Sequence, residues 1–488
     1  MTLETKKPRL FISADHGLAV VYFLQSDVVP TLLEAGAEVV VLSDDSLTAQ
    51  LAQRFGRPGL TFEGLRLAQA RAYERQHHGE WQWWLGFLRR VGSSRRINTG
   101  ATDSYIRQVM VEAGNRRRLF LPLALLAVLA LRHSRAARRA LRRAQLRFTP
   151  GLYTDLFERY QPDLVVAATP GWRMDRYLLR EAAARGIRTA AVVVGWDNPS
   201  SYSLPGAPVD WITCWSQIQK EELVLGSDWP PERVHIGGIP SYDGYFRRTW
   251  EMPREDYFRL HGLDPQRKLI AYACSFVSFS PNYQNVEALA RLVATDALAE
   301  PAQLLVRLHP NHFWNVHLFR DEADKIRRLA RELPHVHVVE PVPLGGELGH
   351  YSGEDMPEKA SMMAHADVFT TVYSTMVVET AIHDRPIVSV CLDVPGGWNV
   401  PRKYSLPLSK IGNWPTHLRF RRSGAGKVAL NERELAAALN YYLQNPHADH
   451  ENRQRFIRDE VTYTDGSAGR RTGEFLLSLL QRPKGGWE

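Results

Sequence analysis

The stretch from Ala366 to Val390, ADVFTTVYSTMVVETAIHDRPIVSV, constrains this chain more tightly than any other. Val368–Thr371 predicts a short apolar strand and Ile387–Val390 a second one. Between them Met376, Val377, Thr380 and Ala381 recur at the three-to-four spacing of a helix, which Asp384-Arg385-Pro386 ends. Ser374 and Thr375 therefore fall where the helix begins. The first turn of a helix has unpaired N–H groups and a partial positive charge, so a phosphate is stabilised there. Glu379 projects from the next turn, placed to accept hydrogen bonds from a ribose. Taken alone, S-T-x-x-x-E is the pattern of an N-cap.

A second segment adds weight. Gln303–Pro310, QLLVRLHP, has the pattern of a buried strand that stops at Arg307, His309 and Pro310. A third strand, Leu269–Cys274, likewise ends in the polar Ser275. Ligands of open parallel sheets bind outside the carboxyl ends of the strands. Three strand ends that offer hydroxyls, an imidazole and a guanidinium together point to a diphosphate site.

In order and spacing, RLHP and ADVFTTVYSTMVVETAIHDRPIV resemble the donor half of GT-B glycosyltransferases. The nearest branch is bacterial surface-polysaccharide enzymes with His-Pro and Ser-Ser or Ser-Thr motifs. It includes capsule sialyl- and Kdo-transferases and the CDP-glycerol glycerophosphotransferases of teichoic acid synthesis. The tail, YTDGSAGRRTGEF from Tyr463 to Phe475, is similar to the Asp-Gly-x-Ala…Arg ending of the glycerophosphotransferases. The resemblance implies two Rossmann-like domains facing across a cleft, with a final helix that crosses back to the first.

The first half of the chain fits that expectation in pattern. Arg9–Ser13 predicts a strand, Val20–Glu34 a helix and Glu38–Leu42 a second strand, which together imply a parallel sheet. No G-x-G-x-x-G fingerprint accompanies it, so a dinucleotide is not expected. Asp15, His16 and Gly17 stand at the carboxyl end of the first strand, facing the expected cleft. Asp15 reads equally well as a helix cap with a surface His16 beside it, or as catalytic. Further strands are expected at Pro162–Ala168, Ala190–Val194, Trp211–Trp215 and Val234–Ile236. Trp196, Asp197 and Asn198 follow one strand end, and the G-x-P-x-x-D that closes on Asp243 resembles the end of the first domain in such transferases. These residues are the candidate acceptor contacts. The predicted boundaries are a first domain over 1–240, a linker over 240–265, a nucleotide-donor domain over 266–463 and a tail over 464–488.

Residues 51–147 depart from this alternation and are predicted to be a mainly helical insertion. From Arg89 to Arg147 there are 15 Arg and no Lys against Asp103 and Glu112, a charge of +13; the whole chain carries +8, so the remainder is −5. Leu119–Leu131 is apolar, but its 13 residues are too few to span a bilayer. An apolar helix flanked by arginines suits an anionic membrane surface. The expected contacts are Arg116, Arg117, Arg118, Leu125, Arg138, Arg139, Arg142 and Arg143. The other reading is an ordinary buried helix with solvated arginines. Nucleic acid is not expected, because no binding motif for it lies nearby.

The three cysteines, Cys214, Cys274 and Cys391, sit in apolar runs and read as buried thiols of a reducing compartment. The N-terminus lacks the apolar core of a signal peptide. Those features predict a cytoplasmic protein, peripheral on the inner membrane face. The absence of D-x-D argues for transfer without a metal or other cofactor. His309-x-x-His312 and His77-His78 lack the partners of a zinc site; the first pair is expected at the phosphate and the second on the surface.

The resemblance implies an enzyme that moves a sugar from a nucleotide-sugar donor to a glycan or lipid-linked acceptor, with Asp15 as base and His16 orienting it. A CDP-glycerol glycerophosphotransferase, a hydrolysing UDP-sugar 2-epimerase and a non-catalytic binding module stay open as alternatives.

Overall fold

Strands buried on both faces read as continuous apolar runs, and the runs of this chain assemble into two parallel sheets. The computed structural model describes residues 7–275, 282–313, 317–342, 345, 352–392 and 411–482. The first sheet is formed by β1 (Arg9–Ser13), β2 (Glu38–Ser43), β3 (Leu60–Gly64), β4 (Leu164–Ala167), β5 (Arg188–Val192), β6 (Trp211–Cys214) and β7 (Val234–Ile236). The second comprises β8 (Lys268–Ala273), β9 (Ala302–Arg307), β10 (Val336–Val339), β11 (Val368–Thr371), β12 (Ile387–Val390) and β13 (Lys427–Ala429). Their orders are β3-β2-β1-β4-β5-β6-β7 and β10-β9-β8-β11-β12-β13.

Each order reverses direction once, between β1 and β4 in the first sheet and between β8 and β11 in the second. Such a reversal opens a crevice at the carboxyl ends of the two strands, where ligands bind. Ser13 of β1 lies opposite Ala167 of β4, and Ala273 of β8 opposite Thr371 of β11, so four strands end at the two crevices together. The hydroxyls of Thr370 and Thr371 are satisfied inside the sheet, donating to the carbonyls of Ala271 and Ala273 at 2.8 Å. One apolar cluster runs from the first sheet through Tyr242 and Tyr245 into Met356, Met362 and Val377 of the second half.

The predicted Val20–Glu34 helix is two helices, Gly17–Leu24 and Val28–Glu34, because the Ser26 hydroxyl turns back to the Tyr22 carbonyl and also accepts from Val28 N–H. The Ala468–Leu479 helix packs on Val28–Glu34 in the first half of the chain. Its first turn is held by Asp243, which accepts from Ala468 N–H at 3.0 Å and Gly469 N–H at 2.7 Å. Burial pushes the Asp243 carboxyl up to about 6. Asp243 is thus a cap for a distant helix and not the acceptor contact expected from the sequence.

Residues 60–64, read from the sequence as part of the helical insertion, form the edge strand β3. The helices that follow pack around two small apolar clusters, one on Leu85, Leu131 and Leu141 and one on Phe87, Val109 and Val128. The charge of this segment is partly internal. Arg138 is buried and donates to both oxygens of Asp228, at 2.7 and 2.8 Å. Arg142 donates to the Ser227 carbonyl, and Arg117 pairs with Glu80 at 2.8 Å. These three are therefore struts, Leu125 is half-buried, and only Arg116, Arg118, Arg139 and Arg143 of the expected contacts are exposed. Among the described residues no single helix is long and apolar enough to cross a membrane, and Asn115–His133 and Arg135–Gln145 meet at 117°.

Candidate active site

The crevices at the two reversals face each other across a cavity of about 330 Å³. On the first wall β1 ends and the chain turns at Asp15-His16 before the Gly17–Leu24 helix. Asp15 has no exposed surface. Its Oδ1 lies 2.6 Å from His16 Nδ1, and its Oδ2 accepts from Arg173 Nε at 3.2 Å. Although burial alone would raise it, the neighbouring His16 and Arg173 hold this carboxyl below its ordinary value. An ionised carboxylate only accepts, so the shared proton sits on Nδ1 and His16 Nε2 is left as an acceptor. His16 and Gly17 line the cavity. Burial above all, with Arg173 beside it, keeps the imidazole below the ordinary 6.5, so His16 is neutral near pH 7. Asp15, expected from the sequence as the base, does not line the cavity: both its oxygens are engaged, and His16 lines the cavity beside it.

Arg173 comes from the loop after β4 and also lines the cavity. Behind it Asp175 accepts from Thr169 N–H and Oγ1 at 3.0 and 2.6 Å. Burial, aided by the charge of Asp15, drives Asp175 well above the usual carboxylate range.

The opposite wall is formed by His309, Ser374, Thr375, Lys359 and Glu379. His309 Nδ1 accepts from Asn311 N–H at 3.1 Å, which leaves the ring proton on Nε2. His312 is not at a phosphate position. It is buried, accepts from His309 N–H at 3.0 Å through Nδ1, and meets Glu322 at 2.9 Å through Nε2. His77 and His78 are exposed. Tyr373 adopts φ = +35°, a left-handed turn that a bulky residue seldom takes, and its ring stacks on His417 with centroids 4.7 Å apart. That turn brings Ser374 and Thr375 to the cavity ahead of the Met376–Ile382 helix. Glu379 Oε2 accepts from Tyr245 Oη at 2.7 Å and from Lys359 Nζ at 2.5 Å.

Other candidates lie elsewhere. Arg307 reaches the cavity edge, but its guanidinium is clamped between Asp355 and Glu358. Ser275 turns its N–H to Asn282 Oδ1 at 2.8 Å and is not part of the lining. Trp196 is buried and donates to Glu460 at 2.7 Å, Asp197 accepts from Ser201 Oγ at 2.7 Å, and Asn198 opens a short helix. Only Val194 and Gly195 of that loop face the cavity.

Arg173, Lys359 and Tyr245 were missed from the sequence. Arg173 follows a strand end, the same signal that found His16. Lys359 lies within MPEKASMMAH, where a lysine among apolar residues could have marked an inward-facing charge. Among the described residues no group of three or more His, Cys, Asp or Glu side chains is placed to hold a metal ion.

Residues 228–478, just over half of the chain, match the family of CDP-glycerol:poly(glycerophosphate) glycerophosphotransferases. No curated protein matches the sequence. Among solved structures, one from Listeria monocytogenes assigned as a UDP-N-acetylglucosamine 2-epimerase is 12% identical, with TM-score 0.53 over 99% of this chain and 100% of that one. A UDP-GlcNAc 2-epimerase of Neisseria meningitidis bound to UDP-GlcNAc is 11% identical, with TM-score 0.50 over 97% and 100%. A glycosyltransferase of Rickettsia africae is 8% identical, with TM-score 0.51 over 98% and 100%. At such identities the likeness is one of fold, and with the two facing parallel sheets it makes this a GT-B fold.

The geometry at Arg307 separates a strut from a ligand contact. Removing one partner of a buried ion cluster leaves uncompensated charge and costs about 3–5 kcal/mol. Arg307→Met should therefore lower unfolding stability by that amount in denaturant titration. Wild-type stability in this variant would return Arg307 to the role of a ligand-binding cation.

Proposed function

The chain belongs to the CDP-glycerol:poly(glycerophosphate) glycerophosphotransferase family, and from that premise we propose that it transfers a glycerol phosphate unit from a CDP-linked donor to an acceptor hydroxyl. The observation that carries this reading is the neutral His16, backed by Asp15 and Arg173, facing His309 and the Ser374-Thr375 turn across one cavity. In the proposed reaction the acceptor hydroxyl gives its proton to His16 Nε2 as its oxygen attacks the β-phosphorus. A new P–O bond forms, the bond from that phosphorus to the bridging oxygen breaks, and CMP leaves with the electron pair. His309 Nε2–H and the Ser374 and Thr375 hydroxyls support this role because donors placed at developing phosphate charge lower the barrier. Glu379, fixed by Tyr245 and Lys359, suits a sugar or glycerol hydroxyl. In this scheme the side chains supply the charge compensation, and no metal takes part.

The test is acceptor-dependent release of nucleotide from CDP-glycerol and from UDP-, CMP- and GDP-linked sugars, with and without EDTA. CMP release from CDP-glycerol that survives EDTA is expected, and His16→Gln should slow it by about 100-fold or more, the size of a general-base contribution. The base acts when deprotonated, so turnover should be lost as pH falls through a pKa below 6.5. Release from sugar nucleotides alone would replace this reading with the sugar transfer first suggested by the sequence.

We further propose that the Asn115–His133 helix rests on an anionic membrane surface. Leu119, Phe120, Leu123 and Leu126 are 78%, 57%, 64% and 63% exposed, beside the exposed Arg116, Arg118, Arg139 and Arg143. An apolar stripe rimmed by guanidinium groups complements acyl chains and anionic headgroups. Flotation with phosphatidylglycerol vesicles should show binding that weakens with salt and is lost in Leu123→Glu/Leu126→Glu. Binding unchanged by that pair of substitutions, or none by the wild type, removes the proposal.

A further inference from the structure

A second cavity, of about 320 Å³, lies between the insertion and the loop after β4. Its walls carry four guanidinium groups, Arg89, Arg90, Arg176 and Arg180, against the single carboxylate of Glu74, formally +3. Glu74 is engaged by Arg176 and by Tyr177 Oη. Among the described residues the other three have no carboxylate in hydrogen-bond contact. Arg180 donates only to the carbonyls of Gly206 and Phe148, both at 2.8 Å. Arg89 makes three long bonds to carbonyls, those of Trp172 at 3.2 Å and of Tyr202 and Leu204 at 3.4 Å. Arg90 is sandwiched between the rings of Tyr105 and Tyr202, 3.7 and 5.0 Å from their centroids, and its Nε has no partner. Two buried lining residues, Gln145 and Trp172, each keep a side-chain N–H without a partner.

Buried charges are found paired, and buried donors bonded. Arg89 and Arg180 are instead pushed down, to about 10 and about 9, by burial first and then by neighbouring arginines. Several planar forks of donors around one space match the tetrahedral oxygens of a phosphate ester, which guanidinium groups bind through paired N–H bonds. The surrounding rings of Trp83, Phe87 and Tyr202 leave room for a sugar or polyol face beside the charge. Trp172 lines this cavity while the next residue, Arg173, lines the cleft, so the two spaces are separated by one stretch of chain.

We propose that this cavity is a second phosphate-ester binding site, distinct from the cleft and on the same side as His16. It stands on its own lining and does not depend on the identity of the donor. The phosphate could belong to a soluble or polymeric glycerol phosphate or to a lipid headgroup, and these sources are separable.

Inorganic phosphate and sn-glycerol 3-phosphate are titrated calorimetrically into the full chain at fixed ionic strength, with excess CDP present to occupy the cleft. The comparison variants are Arg90→Gln and Gly86→Met. A Cβ on Gly86, a lining residue within the Gly79–Val91 helix, meets no atom within 4 Å, so the second variant fills space without a clash at that atom. It also favours the helix, which keeps the test open if Arg90→Gln does not fold. Phosphate and glycerol phosphate are expected to bind the wild type and to bind each folded variant at least tenfold more weakly. Phosphatidylglycerol vesicles form the second arm. Loss of vesicle binding in the same variants assigns the headgroup as the source, whereas unchanged vesicle binding assigns a soluble or polymeric ester. Equal phosphate affinity in wild type and variants, or no binding beyond a chloride control, overturns the site. Failure of CDP to bind bears on the cleft alone, since the variants still report on this cavity.

Discussion

A carboxylate with no exposed surface, such as Asp15, is expensive to bury unless its oxygens find cationic or N–H partners. Here the partners come from both sides of the strand-order reversal in the first sheet: His16 follows β1, and Arg173 follows β4. Meeting that electrostatic need holds the two loops together, puts the imidazole proton on Nδ1 and turns Nε2 into an acceptor at the cavity. The second sheet solves a similar problem differently. There Arg307 is spent on Asp355 and Glu358, while His312 and Glu322 brace the backbone that presents His309. This wall of the cavity consequently presents imidazole and hydroxyl groups, while its guanidinium and its lysine are paired with carboxylates.

The distribution of arginine follows the same logic. Arg138 and Arg132 each face a carboxylate, Asp228 and Asp103, and serve the packing of the insertion. Arg89, Arg90 and Arg180 face carbonyls and rings instead. The run of positive charge from Arg89 to Arg147 thus divides into struts, an exposed rim beside an apolar helix, and Arg89 and Arg90, which share a cavity with Arg176 and Arg180 of a later helix.

Much of the fold was legible because parallel strands are apolar on both faces. The bounds of β1, β7, β11 and β12 agree with those read from the chain. The edge strand β3, with its half-exposed LTFEG, carries no such run and was absorbed into the insertion. The rule that ligands lie beyond strand ends picked out His16, His309, Ser374 and Thr375, which line one cavity. It could not say which polar groups at those ends are consumed by the protein itself. Asp15, Arg307, Trp196 and Asp243 all stand at plausible positions, and each is committed to a partner distant in sequence, Asp15 to Arg173 as well as to the adjacent His16. Burial and partnership at that range are tertiary properties that local pattern does not encode.

The proposed chemistry depends on His16 being a neutral imidazole with its proton on Nδ1, held there by Asp15. Nitrogen NMR of the ¹⁵N-histidine-labelled protein, with the His16 signals among those of the 17 histidines assigned by loss in His16→Gln, reads this state directly. A protonated Nδ1 and an unprotonated Nε2 are expected at pH 7, with the second proton added only below pH 6.5. An imidazolium at pH 7, or a proton on Nε2 in its place, would contradict it.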